Sequence, residues 1–212
     1  MTESNAAERA YLHTKSAILR GTLGGGQLLS EAQLGIELGI SRTPVHEAFL
    51  RLSGENLIIL SSRKGAVVVP MNPREARDVL EMREAIERSS AGSVVRSANP
   101  ARLLTLIDLL STLIDEQRIF AASGDVEAFE ANDDSFHSAV VDAAANPIAV
   151  GFYSSLQDRR QRLRHQFFSV QPDQLAISID DHAQLRDTLA ARNLDTYHRV
   201  LSIHIARNHG AL

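Results

Sequence analysis

The tightest constraint on the fold lies between residues 30 and 52, where two helical patterns meet across a single glycine turn. Ser30-Glu31-Ala32-Gln33 has the form of a capping box, in which a hydroxyl and an amide side chain satisfy N–H groups at a helix start. It opens a helix that runs through Leu38. Gly39 ends that helix, since glycine enters the left-handed region without a Cβ penalty. A new helix starts almost at once at Ser41-Arg42-Thr43-Pro44, where Ser or Thr can cap it and proline is tolerated in the first turn. Val45, Ala48, Phe49 and Leu52 give it an apolar face. Two short helices joined so tightly predict a helix-turn-helix.

The flanks complete a unit. A helix over Ala6–Arg20, with Tyr11, Leu12, Ile18 and Leu19 as its apolar contribution, is broken by glycines between Gly21 and Gly26. After the second helix come Leu57-Ile58-Ile59-Leu60, a turn at Ser61 to Gly65, and Ala66-Val67-Val68-Val69, a β-hairpin with Arg63 and Lys64 at its tip. Helix-turn-helix followed by a basic-tipped hairpin predicts a winged helix over residues 1–70. Pro70 and Pro73 block helix and strand alike, so 71–73 reads as a linker. From 74 to 212 the pattern is helical throughout. Asn99-Pro100, Ser123-Gly124-Asp125, Asn146-Pro147, Gln171-Pro172 and Arg192-Asn193 divide it into about six helices, and short connections predict an antiparallel bundle. The expected fold class is mainly α, a winged helix-turn-helix followed by an all-α bundle.

Composition excludes several chemistries. The chain has 212 residues and no cysteine, which removes disulfides, thiolate metal sites and cysteine nucleophiles. No apolar run approaches the roughly 18 residues of a membrane span, and Met1–Arg9 lacks the order of a signal peptide. No membrane partner and a cytoplasmic location are the expectation. Net charge is −4, but residues 1–73 hold 7 basic and 6 acidic side chains while residues 74–212 hold 15 and 20. A slightly basic head on an acidic body is compatible with DNA reading by the head.

A recognition helix presents its first residues to base edges in the major groove. Arg42 and Thr43 stand there, with His46 one turn on and Arg51 near the helix end; Arg63 and Lys64 on the wing suit phosphates or the minor groove. The candidate DNA-binding set is Ser41, Arg42, Thr43, Pro44, His46, Arg51, Arg63, Lys64 and Gly65. Taken alone, Ser-Arg-Thr-Pro reads as a capped helix start with a solvated arginine, since such caps are common. The ordered series of two capped helices, a glycine turn and a basic wing favours DNA.

In the body, polar residues interrupt stripes otherwise fit for burial. Phe129, Asp133, Phe136, His137 and Val140 share one face, with Asp133 and His137 at i and i+4. Leu175, Ile179, His182, Leu185 and Leu189 form a second stripe, and Tyr197, Val200, Leu201, His204 and Asn208 a third. Three helices thus each aim an imidazole inward, and one adds a carboxylate. Buried polar groups need partners. A divalent metal would satisfy all four, zinc first, with nickel, manganese or iron as alternatives. A histidine on an apolar stripe is otherwise a core side chain bonded to a carbonyl or water, and an Asp–His pair at i, i+4 a simple hydrogen bond. Arg83 is the candidate to grip an effector carboxylate through paired hydrogen bonds, or else a surface pair with Glu87. The run Asp158-Arg159-Arg160-Gln161-Arg162-Leu163-Arg164-His165 reads as a solvated helix face, with a cavity or interface lining as the alternative. His13, His165, His198 and His209 gain no role from spacing.

Ile18-Leu19-Arg20-Gly21, Leu29-Ser30-Glu31, Leu38 through Val45 and Glu47 through Leu52 resemble the N-terminal domain of GntR-family transcription regulators over about residues 10–70. The family usually has Arg at the position of His46, often a basic residue at Ala32, and Pro-Gly where this chain has Gly25-Gly26. Asp133-Asp134-Ser135-Phe136-His137, followed by Asn146-Pro147, resembles the D-x-x-F-H segment of the FCD ligand-binding domain of FadR-type members. Arg83 and Glu87 match its R-x-x-x-E pattern, and a body of this length fits the six-helix, VanR-like subgroup. The resemblance implies Asp133, His137, His182 and His204 as metal ligands, with Asp134 the alternative to Asp133. It implies that the metal helps hold a small organic acid effector, and that a homodimer binds double-stranded operator DNA. The reading is a ligand-responsive regulator, not an enzyme; the alternatives are a metal-dependent hydrolase, or a dimerisation or apolar-ligand module without functional metal.

Overall fold

The structure, a computed structural model, describes residues 3–61, 65–97, 99–170 and 174–209. Arg63, Lys64 and the stop at Gln171-Pro172 lie outside the described residues. The chain divides into two compact units, Met1–Asn72 and Pro73–Leu212.

The first unit begins with α1 (Glu3–Leu19), followed by β1 (Leu28–Leu29), α2 (Glu31–Leu38), α3 (Arg42–Gly54), β2 (Ile58–Ser61) and β3 (Gly65–Val68). The Ser30 side chain accepts from the Gln33 N–H, as the capping pattern predicts. Gly39 closes α2 at φ 65°, and its N–H returns to carbonyls of the last turn. Ser41 stands at the N-cap of α3 in extended conformation, but without a side-chain cap bond. The hairpin forms, with Ile58 opposite Val68 and Ser61 opposite Gly65. The sequence reading missed β1, two residues that pair with β3 to give a three-stranded antiparallel sheet in the order β1-β3-β2. A two-residue strand is too short to show alternation, so no local signal marks it. Val45, Ala48, Phe49 and Leu52 from α3 pack with Tyr11, Ile18, Leu19, Ile58, Ala66 and Val68 as the core of this unit.

The second unit is helical: α4 (Pro73–Val95), α5 (Pro100–Ser123), α6 (Val126–Ala143), α7 (Pro147–Ser155), α8 (Gln157–Val170), α9 (Gln174–Ala190) and α10 (Leu194–His209). Asn99, Asp125 and Asn146 cap α5, α6 and α7 through side-chain oxygens. Seven helices stand among the described residues where about six were expected. The difference is one break at Leu156, which carries neither glycine nor proline and so gives no sequence warning. The Arg160 guanidinium reaches back to the Tyr153 carbonyl at that break. Leu80, Leu110, Ile114, Phe129, Phe136, Leu185, Leu189 and Tyr197 are the largest side chains fully buried in this unit.

Candidate functional site

The three interrupted stripes converge. Asp133 and His137 from α6, His182 from α9 and His204 from α10 are all buried, and one ligand atom from each lies within 4.8 Å of the others. His137 Nε2 and His182 Nε2 stand 3.2 Å apart, and Asp133 Oδ1 is 4.0 Å from the first and 3.5 Å from the second. Each imidazole is held from behind. His137 Nδ1–H donates to Glu87 Oε2 at 2.8 Å, His182 Nδ1–H to Gln117 Oε1 at 2.8 Å, and His204 Nδ1–H to Asp181 Oδ2 at 3.2 Å. These bonds fix the tautomer and leave Nε2 of each ring an unprotonated acceptor. His137 and His182 therefore face each other with lone pairs and no proton between them, and Asp133 Oδ1 has no hydrogen-bond partner among the described residues. Acceptors crowded together without a donor are what a cation resolves, so the residues present fit a divalent metal.

Burial first, and the Arg83 charge second, push the His137 ring down to about 4. Burial and the neighbouring His204 and His137 rings hold His182 well below its ordinary value. Neutral rings are the form that ligates metal.

Arg83 on α4 is buried, not a surface residue. Its Nε–H donates to Glu87 Oε1 at 2.8 Å, while Nη2 has no partner among the described residues. Tyr153 O–H from α7 donates to the same oxygen at 2.7 Å. Glu87 thus accepts from Arg83, Tyr153 and His137 together. Burial alone would raise its carboxyl, but the hydrogen-bonded His137 ring and the Arg83 charge outweigh that and hold it below the carboxylate range.

Asp134 points elsewhere. Arg160 Nη1–H and Arg164 Nη1–H donate to its Oδ1 at 2.7 and 2.8 Å, and it is no member of the four-residue cluster. This corrects the solvated-face reading of residues 158–165: Arg160 and Arg164 are buried, Arg160 lies over the Tyr153 ring at 3.7 Å, and no residue of the run is exposed. Arginines leave water here because Asp134, with Asp133 at 3.6 Å from Arg164, compensates them. Sequence reasoning also missed Gln117 and Asp181, which come from other helices than the ligands' own spacing could reveal or, for Asp181, stand directly beside His182 with no pattern to mark them.

At the other candidate surface, Ser41, Arg42 and Thr43 are exposed at the start of α3, and Arg42 is 74% exposed in its side chain. His46 is also exposed, with Nδ1 2.7 Å from Glu31 Oε1. Pro44 is buried, so it supports the helix and offers DNA no surface. Arg51 faces α1, where Nη1–H donates to Glu8 at 2.6 Å and the guanidinium lies 3.8 Å over Tyr11. Those contacts tie its charge to the head itself. Gly65 has φ +89°, and a Cβ there would meet the Leu29 carbonyl oxygen at 2.0 Å. Its role is steric, at the seam between β3 and β1.

Residues 78–207 match the FCD domain family, and residues 6–68 match the bacterial regulatory proteins of the gntR family. The chain is a gntR-family regulator with an FCD domain. The HTH-type transcriptional repressor RspR of Escherichia coli K12 is 24% identical over 93% of this chain and 85% of its own length. A putative L-lactate dehydrogenase operon regulatory protein of the same organism is 25% identical over 87% of this chain and 77% of its own. The crystal structure of a putative gntR transcriptional regulator from Rhodococcus sp. RHA1 shares the fold, with a TM-score of 0.73, 20% identity and coverage of 96% of this chain and 95% of that one. These relatives are transcription regulators, and this gntR-family chain is a transcription regulator, not an enzyme, which sets the hydrolase alternative aside. Among the described residues no helix is long and apolar enough to cross a membrane.

Proposed function

We propose that this gntR-family chain is a cytoplasmic, metal-binding regulator that senses a small organic acid in its FCD domain and acts as a homodimer on a roughly palindromic operator. The observation that carries the sensor half is the convergence, within 4.8 Å, of one ligand atom from each of three back-anchored imidazoles and from Asp133, whose Oδ1 has no hydrogen-bond partner among the described residues. Asp133, His137, His182 and His204 would hold a divalent ion, zinc first; when bound, that ion supplies Lewis-acid affinity for an anionic oxygen.

This chain's own residues do the rest. Glu87, Gln117 and Asp181 keep the imidazoles in the ligating tautomer. Arg83, with Nη2 free of protein partners among the described residues, grips the effector's carboxylate. In the head, Ser41, Arg42, Thr43 and His46 meet the major groove, and Arg63 and Lys64 contribute from the wing. One helix-turn-helix reads a half-site, which is why a dimer is invoked. Effector shifts DNA affinity only by binding the two states of the regulator unequally. Repression is the expected outcome, by likeness to the RspR repressor.

The test is fluorescence anisotropy on the DNA upstream of the protein's own gene, titrated with organic acids before and after chelation. An acid-dependent change in affinity that chelator abolishes supports the reading. Identical affinity in every condition refutes the switch and leaves a dimerisation module on a DNA-binding head.

A further inference from the structure

The first turn of α2 holds a carboxylate against the outward face of α3. Glu31 stands at the start of α2, among N–H groups that attract its negative charge. Its side chain is 18% exposed, and Oε1 lies 2.7 Å from Nδ1 of His46. An ionised carboxylate can only accept, so the proton of this bond sits on Nδ1. The neutral ring then carries a bare lone pair at Nε2. The His46 side chain stays 53% exposed, and the ring makes no other hydrogen bond among the described residues. Arg42 is one turn earlier on the same face. Its Nη2 lies 3.9 Å from Glu31 Oε2, a contact loose enough to leave that side chain 74% exposed. Glu47, next to His46, is exposed and adds a further acceptor. The face therefore offers a donor at Arg42 and an acceptor at His46.

In the major groove adenine and cytosine present an amino donor, whereas guanine and thymine present acceptors, at N7 and O6 or at O4. Every base pair carries one such amino group, so an acceptor side chain selects the strand that bears it. We infer that His46 is a specificity-determining residue that, oriented by Glu31, accepts a hydrogen bond from the amino group of adenine or cytosine on the strand it faces. This rests on the reading of operator DNA by the head proposed above. Glu31 is a positioning residue: it touches no base and acts by keeping the proton on Nδ1.

The test is selection of duplexes from a random-sequence pool by the full chain at about pH 8, above the ordinary imidazole range, beside His46→Arg and Glu31→Ala. Arginine reads guanine through O6 and N7, so the position that His46→Arg turns to guanine marks both the site and the strand. There the wild type favours adenine or cytosine over guanine and thymine by about fivefold or more, the scale of one hydrogen bond made against one lost. All other positions agree between the two proteins. Glu31→Ala cuts that preference to less than about half and leaves the other positions unchanged, which a merely structural role would not do. Guanine or thymine in the wild-type selection means that an N–H faces the base, and overturns the inference. A full preference in Glu31→Ala, or a His46→Arg variant that changes no position, also overturns it; in each case operator reading by Arg42 and Thr43 stands. A wild-type chain that enriches no sequence overturns DNA reading by the head, and the inference with it.

Discussion

At the scale of single residues, the site is a set of acceptors oriented by a second set of side chains. His182 illustrates the division of labour. Its Nε2 faces the cluster, while its Nδ1–H is held by Gln117 from α5. Gln117→Ala removes that hold without touching a ligand, and the expected result is about 10–100-fold weaker metal affinity by competition with a chromogenic chelator, with the secondary structure intact. The imidazoles also predict a pH dependence. His137 is pushed from its ordinary value of 6.5 down to about 4 in the folded protein, chiefly by burial. Between those values the unfolded chain takes up a proton that the folded chain refuses. The metal-free protein therefore loses stability through His137 as pH falls from about 6.5 to about 4, the depressed carboxyls of Glu87, Asp134 and Asp181 continue the loss at lower pH, and denaturation midpoints in chelator across that range check it. The clustering of Asp133, His137, His182 and His204 was legible in the sequence because its signal is local: an apolar stripe of helical period interrupted by His or Asp. Their partners were not, because Glu87, Gln117 and Asp181 reach the rings across helix packing that no local spacing encodes. Arg160 and Arg164 were misread for the same reason, since the carboxylates that draw them inside lie on α6.

At the scale of elements, capping and turn chemistry carried most of the information. Ser30, Gly39, Asn99, Gly124, Asp125 and Asn146 stand at the helix ends that their residue types announce. What stayed hidden was β1, too short for a pattern, and the α7–α8 break, which Arg160 supports from a distance. Gly65 shows an element held by the absence of a side chain. Gly65→Ala places a Cβ against the Leu29 carbonyl in a left-handed conformation. It costs more than the roughly 1–2 kcal/mol of the backbone strain alone, and thermal unfolding is the check, with the loss expected in the first unit. In α3, His46 stands opposite Glu31 and supplies less positive charge than arginine would. DNA binding by the wild type accordingly weakens less steeply with salt than binding by His46→Arg, whose log–log slope is steeper by about 1. Equal slopes in anisotropy titrations would remove His46 from the DNA-facing set.

For the whole molecule, the charge split, the two units and the two family matches describe a protein that reads DNA with one part and small-molecule chemistry with the other. The link between them depends on whether the second unit holds a metal. Elemental analysis of the purified full chain by mass spectrometry, wild type beside Asp133→Ala and His182→Ala, addresses that directly. The account predicts close to one divalent ion per wild-type chain and a large loss in both variants. Equal metal content in all three proteins, or a wild-type chain that takes up no divalent ion on reconstitution, would contradict it.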